Sequence, residues 1–394
     1  MTTELVVSTN NSVSVEVEDV IKSPFDIEFP VNEVLFSNFL KCWNILHSGL
    51  YDVVLVGISG GSDSDCVMQL MEWCKKSEKC PEVHYFHCDT GIELQATKDH
   101  LCALEQRYGC KIERYRSKMP VVRSCKVNGE PFLNKNASTY ISRLQSYHFD
   151  FANEYDASYE ELVGRYCRKA IEPEHIAFLE STGLASVGRG KNAWVKIDGG
   201  WYNGCISALQ WWTDHKGDGS MFSIKNNRLL KEFLRDNPPA FKISAACCDT
   251  AKKSVMHRVE RRYSTLYKGR VLCVSGVRLA EGATRKGAYG GKGCWSRNTG
   301  DCDAYRPLQW WSDADKKLFC DFFGVEHSRA YSEYGCSRTG CACCPLSLDG
   351  GCFKEAETLR AHGEERLVAA CENIFKNAFD YTKLYQEYVR KNYH

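Results

Sequence analysis

The sequence lacks three features, each of which would assign it to a broad class of protein. It has no run of about 18 apolar residues, the length of a membrane-spanning helix, so we expect no membrane partner. Its first 19 residues are polar and acidic, where a secretory signal is basic and then apolar, which predicts a cytoplasmic protein. Its charge is almost balanced, with 51 Lys and Arg against 50 Asp and Glu, so any polyanion site must be local.

One stretch departs from this balance of charge. Between Lys252 and Arg297 the chain carries twelve Lys or Arg residues, and its only acidic residues there are Glu260 and Glu281. Two interpretations stay open, because a solvated helix face and a lining for phosphate or sulfate groups would both concentrate positive charge in this way.

Cysteine, in contrast, is abundant, at 22 of 394 residues. Because thiols stay reduced in the cytosol, this number predicts metal binding at tight clusters rather than a disulfide framework. The spacing of Cys341 and Cys344 lets both sulfurs face one metal centre. Cys247 and Cys248, which are neighbours in the sequence, could complete a set of four thiolate ligands, which suits either an iron–sulfur cluster or zinc. The reserve ligands are Cys336 and Cys343, then Cys294 and Cys302; Cys66, Cys74 and Cys273 are interpreted as core residues.

Strands and helices alternate along the first part of the chain. A nearly continuous apolar run over residues 51–58 predicts a strand covered on both faces, which leads through a Gly-rich turn into an amphipathic helix. Further strands are predicted at 83–88, 111–115 and 270–277, with a helix ending near Tyr108. This order predicts an α/β fold with a doubly wound parallel sheet, which binds ligands at the carboxyl ends of its strands.

The alternation stops near residue 125. Residues 125–240 are rich in aromatic residues and glycine, which predicts a large insertion, and the last part of the chain predicts helices. The aromatic side chains of the insertion could stack on single-stranded nucleic acid or fill a core. The expected segments are an N-terminal segment 1–45, a first core part 46–124, the insertion 125–240, a second core part 241–345 and a helical tail 346–394.

The Gly-rich turn is the first candidate site. It consists of Ser59, Gly60, Gly61, Ser62, Asp63 and Ser64. A strand that runs through two glycines into a helix presents backbone N–H groups at the positive end of that helix, and the serine hydroxyls add donors, so the turn predicts a phosphate site. Asp63 could hold Mg²⁺ that bridges the phosphate oxygens. The turn has neither a Walker ending nor the G-x-G-x-x-G spacing of dinucleotide folds.

In this context the hexapeptide resembles the PP-loop of the ATP-pyrophosphatase, or adenine nucleotide α-hydrolase, superfamily. The resemblance implies that the chain splits ATP between its α- and β-phosphates or binds an adenylylated sulfate. Two further segments look like the phosphoadenosine phosphosulfate (PAPS) reductase branch of that superfamily. They are Asp89, Thr90 and Gly91 after the second strand, and Gly276, Arg278, Glu281 and Arg285, where Gly282 replaces the usual serine.

The two arginines of this motif would bind phosphate or sulfate, because a guanidinium matches those oxyanions bidentately, although surface ion pairing is the alternative for each. The cysteine segments complete the resemblance, which covers roughly residues 50–120 and 245–345. Residues 334–345 look like the family's Arg-x-Gly-Cys-x-x-Cys-Pro signature, and the cysteine pair followed by Lys252 and Lys253 is similar to its cysteine-plus-lysine element. The implied centre is a 4Fe-4S cluster, with zinc as the lesser alternative, on Cys247, Cys248, Cys341 and Cys344.

Three functions follow from these motifs. The first is ATP activation coupled to sulfur transfer, similar to the DNA phosphorothioation sulfurtransferases, with a sulfur-donor protein and a nucleic-acid acceptor as partners. There Asp63 and Asp89 would handle Mg²⁺, and Arg278 and Arg285 would neutralise charge at the α-phosphate. The second is reduction of PAPS or adenylyl sulfate, although the sequence lacks the Glu-Cys-Gly-Leu motif that is usual for this reaction. The last cysteine, Cys371, stands in a predicted helix and is therefore not the mobile thiol that the reaction needs. The third is a non-catalytic nucleotide or redox sensor.

Overall fold

In a computed structural model of the chain, the described residues are 20–22, 28–75, 80–166, 177, 180–182, 185–188, 194–197, 200–215, 220, 223–268, 270–297, 301–346 and 351–392. Much of the expected N-terminal segment and parts of the expected insertion lie outside them. No helix in these ranges combines the length and the apolar character that crossing a membrane requires.

Within the described ranges, the strands form three separate sheets. They are β1 (Val20–Lys22), β2 (Glu28–Pro30), β3 (Val53–Gly57), β4 (Glu82–Asp89), β5 (Ile112–Arg116), β6 (Ala185–Gly188), β7 (Trp194–Ile197), β8 (Gly200–Trp201), β9 (Val271–Val274), β10 (Trp295–Ser296) and β11 (Asp303–Tyr305). The largest sheet has six strands in the order β10-β11-β9-β3-β4-β5. In it β3 runs parallel to β4 and β9, and β11 runs parallel to β9, whereas the short edge strand β10 is antiparallel. The predicted α/β fold with a mostly parallel sheet is therefore confirmed.

The helices of the described residues include the one predicted after the Gly-rich turn and the one predicted to end near Tyr108, together with several that the sequence did not predict. They are α1 (Glu33–Leu46), α2 (Ser62–Cys74), α3 (Gln95–Tyr108), α4 (Val121–Asn128), α5 (Lys135–Ser146), α6 (Tyr159–Tyr166), α7 (Tyr202–Trp212), α8 (Leu230–Asp236), α9 (Ala246–Cys248), α10 (Ser254–Leu266), α11 (Ala283–Tyr289), α12 (Asp313–Phe323), α13 (Arg329–Ser332), α14 (Gly351–Ala361), α15 (Glu365–Ile374) and α16 (Lys376–Asn392). Thus α2 follows the Gly-rich turn directly, and α14, α15 and α16 form the helical tail.

The chain divides into two units, each of which is described by itself. The first unit comprises Met1–Phe86, Ala103–Glu113 and Glu260–Ser328. Its core is built on neighbouring strands of the large sheet, because the side chains of Val53, Val54, Leu55 and Val56 in β3 are fully buried, as are Val271, Leu272 and Val274 in β9. A run without polar positions is what a strand covered on both faces requires. Each such side chain contributes about 1.5–3 kcal/mol when it is buried.

The second unit comprises His87–Cys102, Arg114–Val259 and Arg329–His394. Aromatic residues of the predicted insertion form a core here, in which Phe149, Trp211 and Trp212 are buried together with Tyr381 and Tyr385 of α16. The described aromatic side chains of the insertion are therefore used in packing. A second core, smaller in its side chains, is built from α4, α14, α15 and α16 and contains several of the cysteines.

Candidate active site

In the first unit, the Gly-rich turn connects the end of β3 to the N-terminus of α2. Gly60 has φ +72°, a left-handed conformation that glycine adopts without strain, and Gly61 is the N-cap of α2. The turn is closed by its own serines. The backbone N–H of Gly61 donates to Ser59 Oγ over 3.2 Å, and Ser64 Oγ donates to the Gly61 carbonyl over 2.6 Å. These bonds leave the positive end of the helix dipole at Ser62 and Asp63.

Two cations converge on the carboxylate of Asp63. Arg278 Nε lies 2.9 Å from Asp63 Oδ1, and Lys316 Nζ lies 2.6 Å from the same oxygen. Lys316 also donates to Ser62 Oγ over 2.6 Å, so its ammonium lies against the first turn of α2. The sequence predicted Asp63 as an Mg²⁺ ligand, but in this structure the carboxylate pairs with protein cations. Lys316 itself was missed, because it lies far along the chain on α12.

Arg278 is the most buried charged group of this arrangement, at 6% exposed. Its Nη1 bonds to Asp313 Oδ1 over 2.9 Å, so the guanidinium bridges two carboxylates. Burial opposes the charge of this group, but Asp63 and Asp313 raise the pKa of Arg278 above its ordinary value. The guanidinium is therefore a permanent positive charge with a fixed orientation beside the turn.

Glycine is favoured at two positions of this predicted motif, for different reasons. A Cβ at Gly276 would lie 3.0 Å from the backbone carbon and oxygen of Asp63, so a side chain there would force the turn to shift by a few tenths of an ångström. Gly282 has φ +140° and ψ 178°, a region that is essentially restricted to glycine. A serine, which the resemblance led us to expect at this position, would be strained in this conformation.

The other two residues of the motif pair with each other. Arg285 Nε lies 3.1 Å from Glu281 Oε2, in an i,i+4 ion pair whose arginine side chain is 45% exposed. This contact corresponds to the surface ion pair that was the alternative interpretation of Arg285. A role of Glu281 or Arg285 in nucleotide binding stays a prediction.

In the second unit, the Asp-Thr-Gly segment follows β4 in a tight turn. Asp89 Oδ1 accepts a hydrogen bond from the backbone N–H of Gly91 over 2.8 Å, and Asp89 Oδ2 lies 2.7 Å from Arg116 Nη2. The backbone N–H of Thr90 donates to Glu93 Oε1 over 3.1 Å. Glu93 is buried and also bonds to His87 Nε2 over 2.9 Å. The predicted carboxylate Asp89 is thus held in place by its own turn and by Arg116.

This turn is bonded to the cysteine signature in the same unit. Glu93 and Cys341 form an antiparallel backbone bridge, and the backbone N–H of Ala342 donates to the carbonyl of Ile92 over 2.8 Å. The side chains of Thr90 and Cys341 are also hydrogen-bonded. Two motifs that stand about 250 residues apart in sequence are therefore neighbours, as ligands of one site would be.

The four predicted metal ligands lie in this second unit. Hydrogen bonding to Cys125 raises the pKa of the Cys247 thiol, and bonding to Cys247 raises that of Cys248. Burial raises the pKa of Cys341, and it raises the pKa of Cys344 to about 12. Cys125 is a further thiol that the sequence did not single out, because it stands alone on α4 with no neighbouring cysteine.

The donor set has the chemistry that iron–sulfur clusters and zinc require, since four thiols belong to one unit and influence one another. Its geometry is not yet that of a metal site. Among the described residues, no three Cys, His, Asp or Glu side chains are arranged to hold one ion. The reserve ligand Cys343 is hydrogen-bonded to Cys371. The weaker candidates Cys294 and Cys302 belong to the first unit.

Comparisons with known proteins do not assign the chain to a family. No protein-family model matches it, and no curated protein matches it. Among solved structures it is similar to phosphoadenylyl-sulfate (PAPS) reductase from Candida auris in a phosphate complex, with 10% identity and a TM-score of 0.35 over 80% of this chain and 97% of that chain. Because the TM-score is so low, this similarity carries no argument about the function.

Proposed function

We propose that the chain is a PP-loop enzyme that binds an adenine nucleotide, splits ATP into AMP and pyrophosphate, and couples this activation to sulfur transfer. The observation that supports the proposal most is the pairing of Arg278 and Lys316 with Asp63 at the N-terminus of α2. Backbone N–H groups, a helix dipole and two cations at one turn are the components of a polyphosphate site.

Lys316 is the residue that we assign to the phosphates. Its ammonium contacts both Ser62 and Asp63, so a bound phosphate oxygen would replace one of these partners and keep the charge paired. When pyrophosphate leaves, negative charge grows on its bridging oxygen, and a cation already in place stabilises that charge without reorganisation. Arg278, which is held by Asp63 and Asp313, orients the turn and adds a second positive charge.

Mg²⁺ bound with the nucleotide would lower the charge of the phosphates, and Asp63 is the carboxylate of the first unit that we propose for it. Asp63 Oδ1 bonds to two cations, so an ion at this carboxylate would compete with them. The proposed role of Asp89 in holding Mg²⁺ stays a prediction, as does the role of Arg285 at the α-phosphate.

The test is the formation of AMP and pyrophosphate from ATP by the purified protein. Asp63→Asn and Lys316→Met should each lower turnover by about 100-fold, because each removes a charge at the reacting phosphates. The matched control is Lys317→Met, next along α12, whose side chain is 77% exposed and pairs with Asp321. The proposed site would be rejected if Lys316→Met and Lys317→Met lost turnover equally. It would also be rejected if Asp63→Asn and Lys316→Met both kept full turnover.

We further propose that Cys247, Cys248, Cys341 and Cys344 hold a 4Fe-4S cluster, with zinc as the lesser alternative. Protein purified without oxygen is assayed for iron, zinc and labile sulfide. Cys344→Ser should lose most of the bound metal, because one thiolate ligand is removed. Cys110→Ser, which removes a half-buried thiol of the first unit, is the control and should keep it. Full metal content in Cys344→Ser would exclude Cys344 as a ligand.

The alternative function is reduction of PAPS or adenylyl sulfate. The contact between the Asp-Thr-Gly turn and the cysteine signature favours it, because both motifs belong to that family's pattern. One observation speaks against the usual route: Cys371 is fully buried in α15 and donates to the carbonyl of Ala342, so it is not a mobile thiol. Sulfite release from PAPS with a dithiol reductant would support the reductase. Nucleotide binding without AMP, pyrophosphate or sulfite would support the sensor.

A further inference from the structure

The first unit contains a cluster of two thiols, an imidazole and a carboxylate that the proposed nucleotide chemistry does not use. Cys320 on α12 and Cys66 on α2 have their sulfurs 3.4 Å apart. Cys320 Sγ also lies 3.5 Å from Nε2 of His327. The other ring nitrogen of His327, Nδ1, lies 2.8 Å from Oδ2 of Asp65, which is fully buried.

This is the geometry of an activated nucleophile, in which a thiol contacts a base and a third group orients that base. The buried carboxylate of Asp65 fixes the imidazole so that Nε2 faces Cys320. The Cys66 thiol and His327 both donate to the sulfur of Cys320, and together they lower the pKa of Cys320 to about 6 despite its burial. The bonds to Asp65 and then to Cys320 raise the pKa of His327 to about 9.

The two sulfurs differ in accessibility. Cys66 is fully buried, whereas Cys320 is partly exposed. The bond to Cys320 and burial raise the pKa of Cys66 well above its ordinary value, so Cys66 keeps its proton while Cys320 is a thiolate. Lys316, one turn before Cys320 on α12, adds a positive charge that also favours the thiolate. A thiolate within reach of solvent, beside a second thiol, is the arrangement of a redox-active cysteine.

We infer that Cys320 is a reactive thiolate that is oxidised by hydroperoxides, and that Cys66 converts the product into a Cys66–Cys320 disulfide. In the first step, the Cys320 sulfur attacks the terminal oxygen of the hydroperoxide. An S–O bond forms, the O–O bond breaks, and the leaving alkoxide takes the proton of His327 to become an alcohol. Cys320 is then a sulfenic acid and the imidazole is neutral.

In the second step, the Cys66 sulfur attacks the Cys320 sulfur. An S–S bond forms, the S–O bond breaks, and the hydroxyl leaves with the Cys66 proton as water. The two thiols are oxidised by two electrons, and the hydroperoxide is reduced to alcohol and water. The sulfurs have to approach by about 1.4 Å to reach the length of a disulfide bond. This inference does not depend on the proposed nucleotide function.

The chain provides its own comparison for the test. The sulfurs of Cys42 and Cys74 are 3.8 Å apart, but both thiols are fully buried, and the neighbour of Cys42 is Tyr305 rather than a histidine. The full chain, with any metal retained, is reduced, desalted and treated with one equivalent of tert-butyl hydroperoxide at pH 7. Free thiols are then blocked and the peptides are mapped by mass spectrometry. We expect the Cys66–Cys320 disulfide to form roughly tenfold faster than the Cys42–Cys74 disulfide, or more.

Three further measurements separate the roles of the side chains. Cys66→Ser should stop at the sulfenic acid, which dimedone traps on Cys320. His327→Gln should slow the oxidation about tenfold or more, because the proton donor to the leaving alkoxide is lost and the thiolate of Cys320 is less stabilised. In the unmodified protein, iodoacetamide at pH 7 should label Cys320 about tenfold faster than Cys110. Cys110 is a half-buried thiol, and burial raises its pKa to about 11.

Two results would overturn the inference. One is formation of the Cys66–Cys320 disulfide no faster than the Cys42–Cys74 disulfide. The other is iodoacetamide labelling of Cys320 no faster than that of Cys110. Because both comparisons are made within the unmodified protein, they hold even if a variant does not fold.

Discussion

The Gly-rich turn of the first unit and the cysteine region of the second unit are both candidate sites, but they differ in how many of their contacts are already formed within the protein. At the turn, Arg278, Lys316 and Asp63 are already paired at 2.6–2.9 Å. In the cysteine region the pKa values of the thiols are raised, so these side chains are neutral. Among the described residues, no three metal-binding side chains there are arranged around one ion.

This difference teaches which part of each site depends on a ligand. Charged groups at the turn neutralise one another, so the turn does not need a ligand to balance its charge. Thiolates that lie close together repel one another, so a metal bound by these four cysteines would have to release their protons and gather them. We therefore expect variants at the turn to change stability in the protein without ligands, and variants of the cysteines to change mainly the metal content.

The largest expected effect is that of Arg278→Met. It leaves Asp63 without its buried guanidinium partner, and breaking a buried ion pair costs about 3–5 kcal/mol; the contact with Asp313, whose side chain is 85% exposed, adds little. The free energy of unfolding in urea, followed by tryptophan fluorescence, measures this loss. The control is Arg285→Met, which removes an exposed i,i+4 pair and should cost less than about 0.5 kcal/mol. If both variants lost the same free energy of unfolding, the ion pairs of Arg278 would stabilise the protein no more than an exposed surface pair does.

Gly276→Ala should have the next largest effect. Its Cβ would lie 3.0 Å from the backbone of Asp63, and overpacking of this kind costs about 1–3 kcal/mol while it displaces the turn. Urea unfolding and nucleotide titration of the same variant measure both consequences. Gly291→Ala is the matched control, because no atom lies within 4 Å of its Cβ. Unchanged stability and binding in Gly276→Ala would show that the turn moves freely.

A smaller effect is expected from pH at the thiol cluster of the first unit. The folded thiolate–imidazolium pair of Cys320 and His327 holds one proton, as does the unfolded thiol–imidazole pair, so between about pH 6.5 and 9 this pair adds no pH dependence to stability. In Cys320→Ser only His327 remains, with its pKa raised first by Asp65. Stability from a raised histidine pKa is complete below about pH 6.5 and is lost as the pH rises through the folded pKa.

We therefore expect Cys320→Ser to lose on the order of 1–2 kcal/mol relative to the unmodified protein between pH 6.5 and 9. Urea unfolding of both proteins at these two pH values gives the difference. A constant difference would show that His327 is not held protonated by Asp65.

Local patterns in the sequence predicted the parallel part of the large sheet and the helix that follows the Gly-rich turn. The apolar run at 51–58 contains β3, the two glycines lie in the turn that follows it, and the last part of the chain contains α14, α15 and α16. These predictions succeed because a strand between two neighbours and a helix with one apolar face leave their period in the sequence itself. The antiparallel edge strand β10 has only two residues, too few for any period to be read.

The sequence could not reveal partners that meet only in the fold. Lys316 and Asp313 reach the turn from α12, and their positions resemble any charged helix face. Cys66 was interpreted as a core residue, and it is buried, but its contact with Cys320 depends on the packing of α2 against α12.

The measurement that tests the central claim most directly is isothermal titration of ATP, PAPS and adenylyl sulfate into the unmodified protein, Lys316→Met and Lys317→Met. We predict that ATP binds preferentially to the unmodified protein and to Lys317→Met, and that Lys316→Met binds it about 10- to 100-fold more weakly, the worth of one charged hydrogen bond. Absence of nucleotide binding by the unmodified protein, or equal weakening in both lysine variants, would contradict a nucleotide site at this turn.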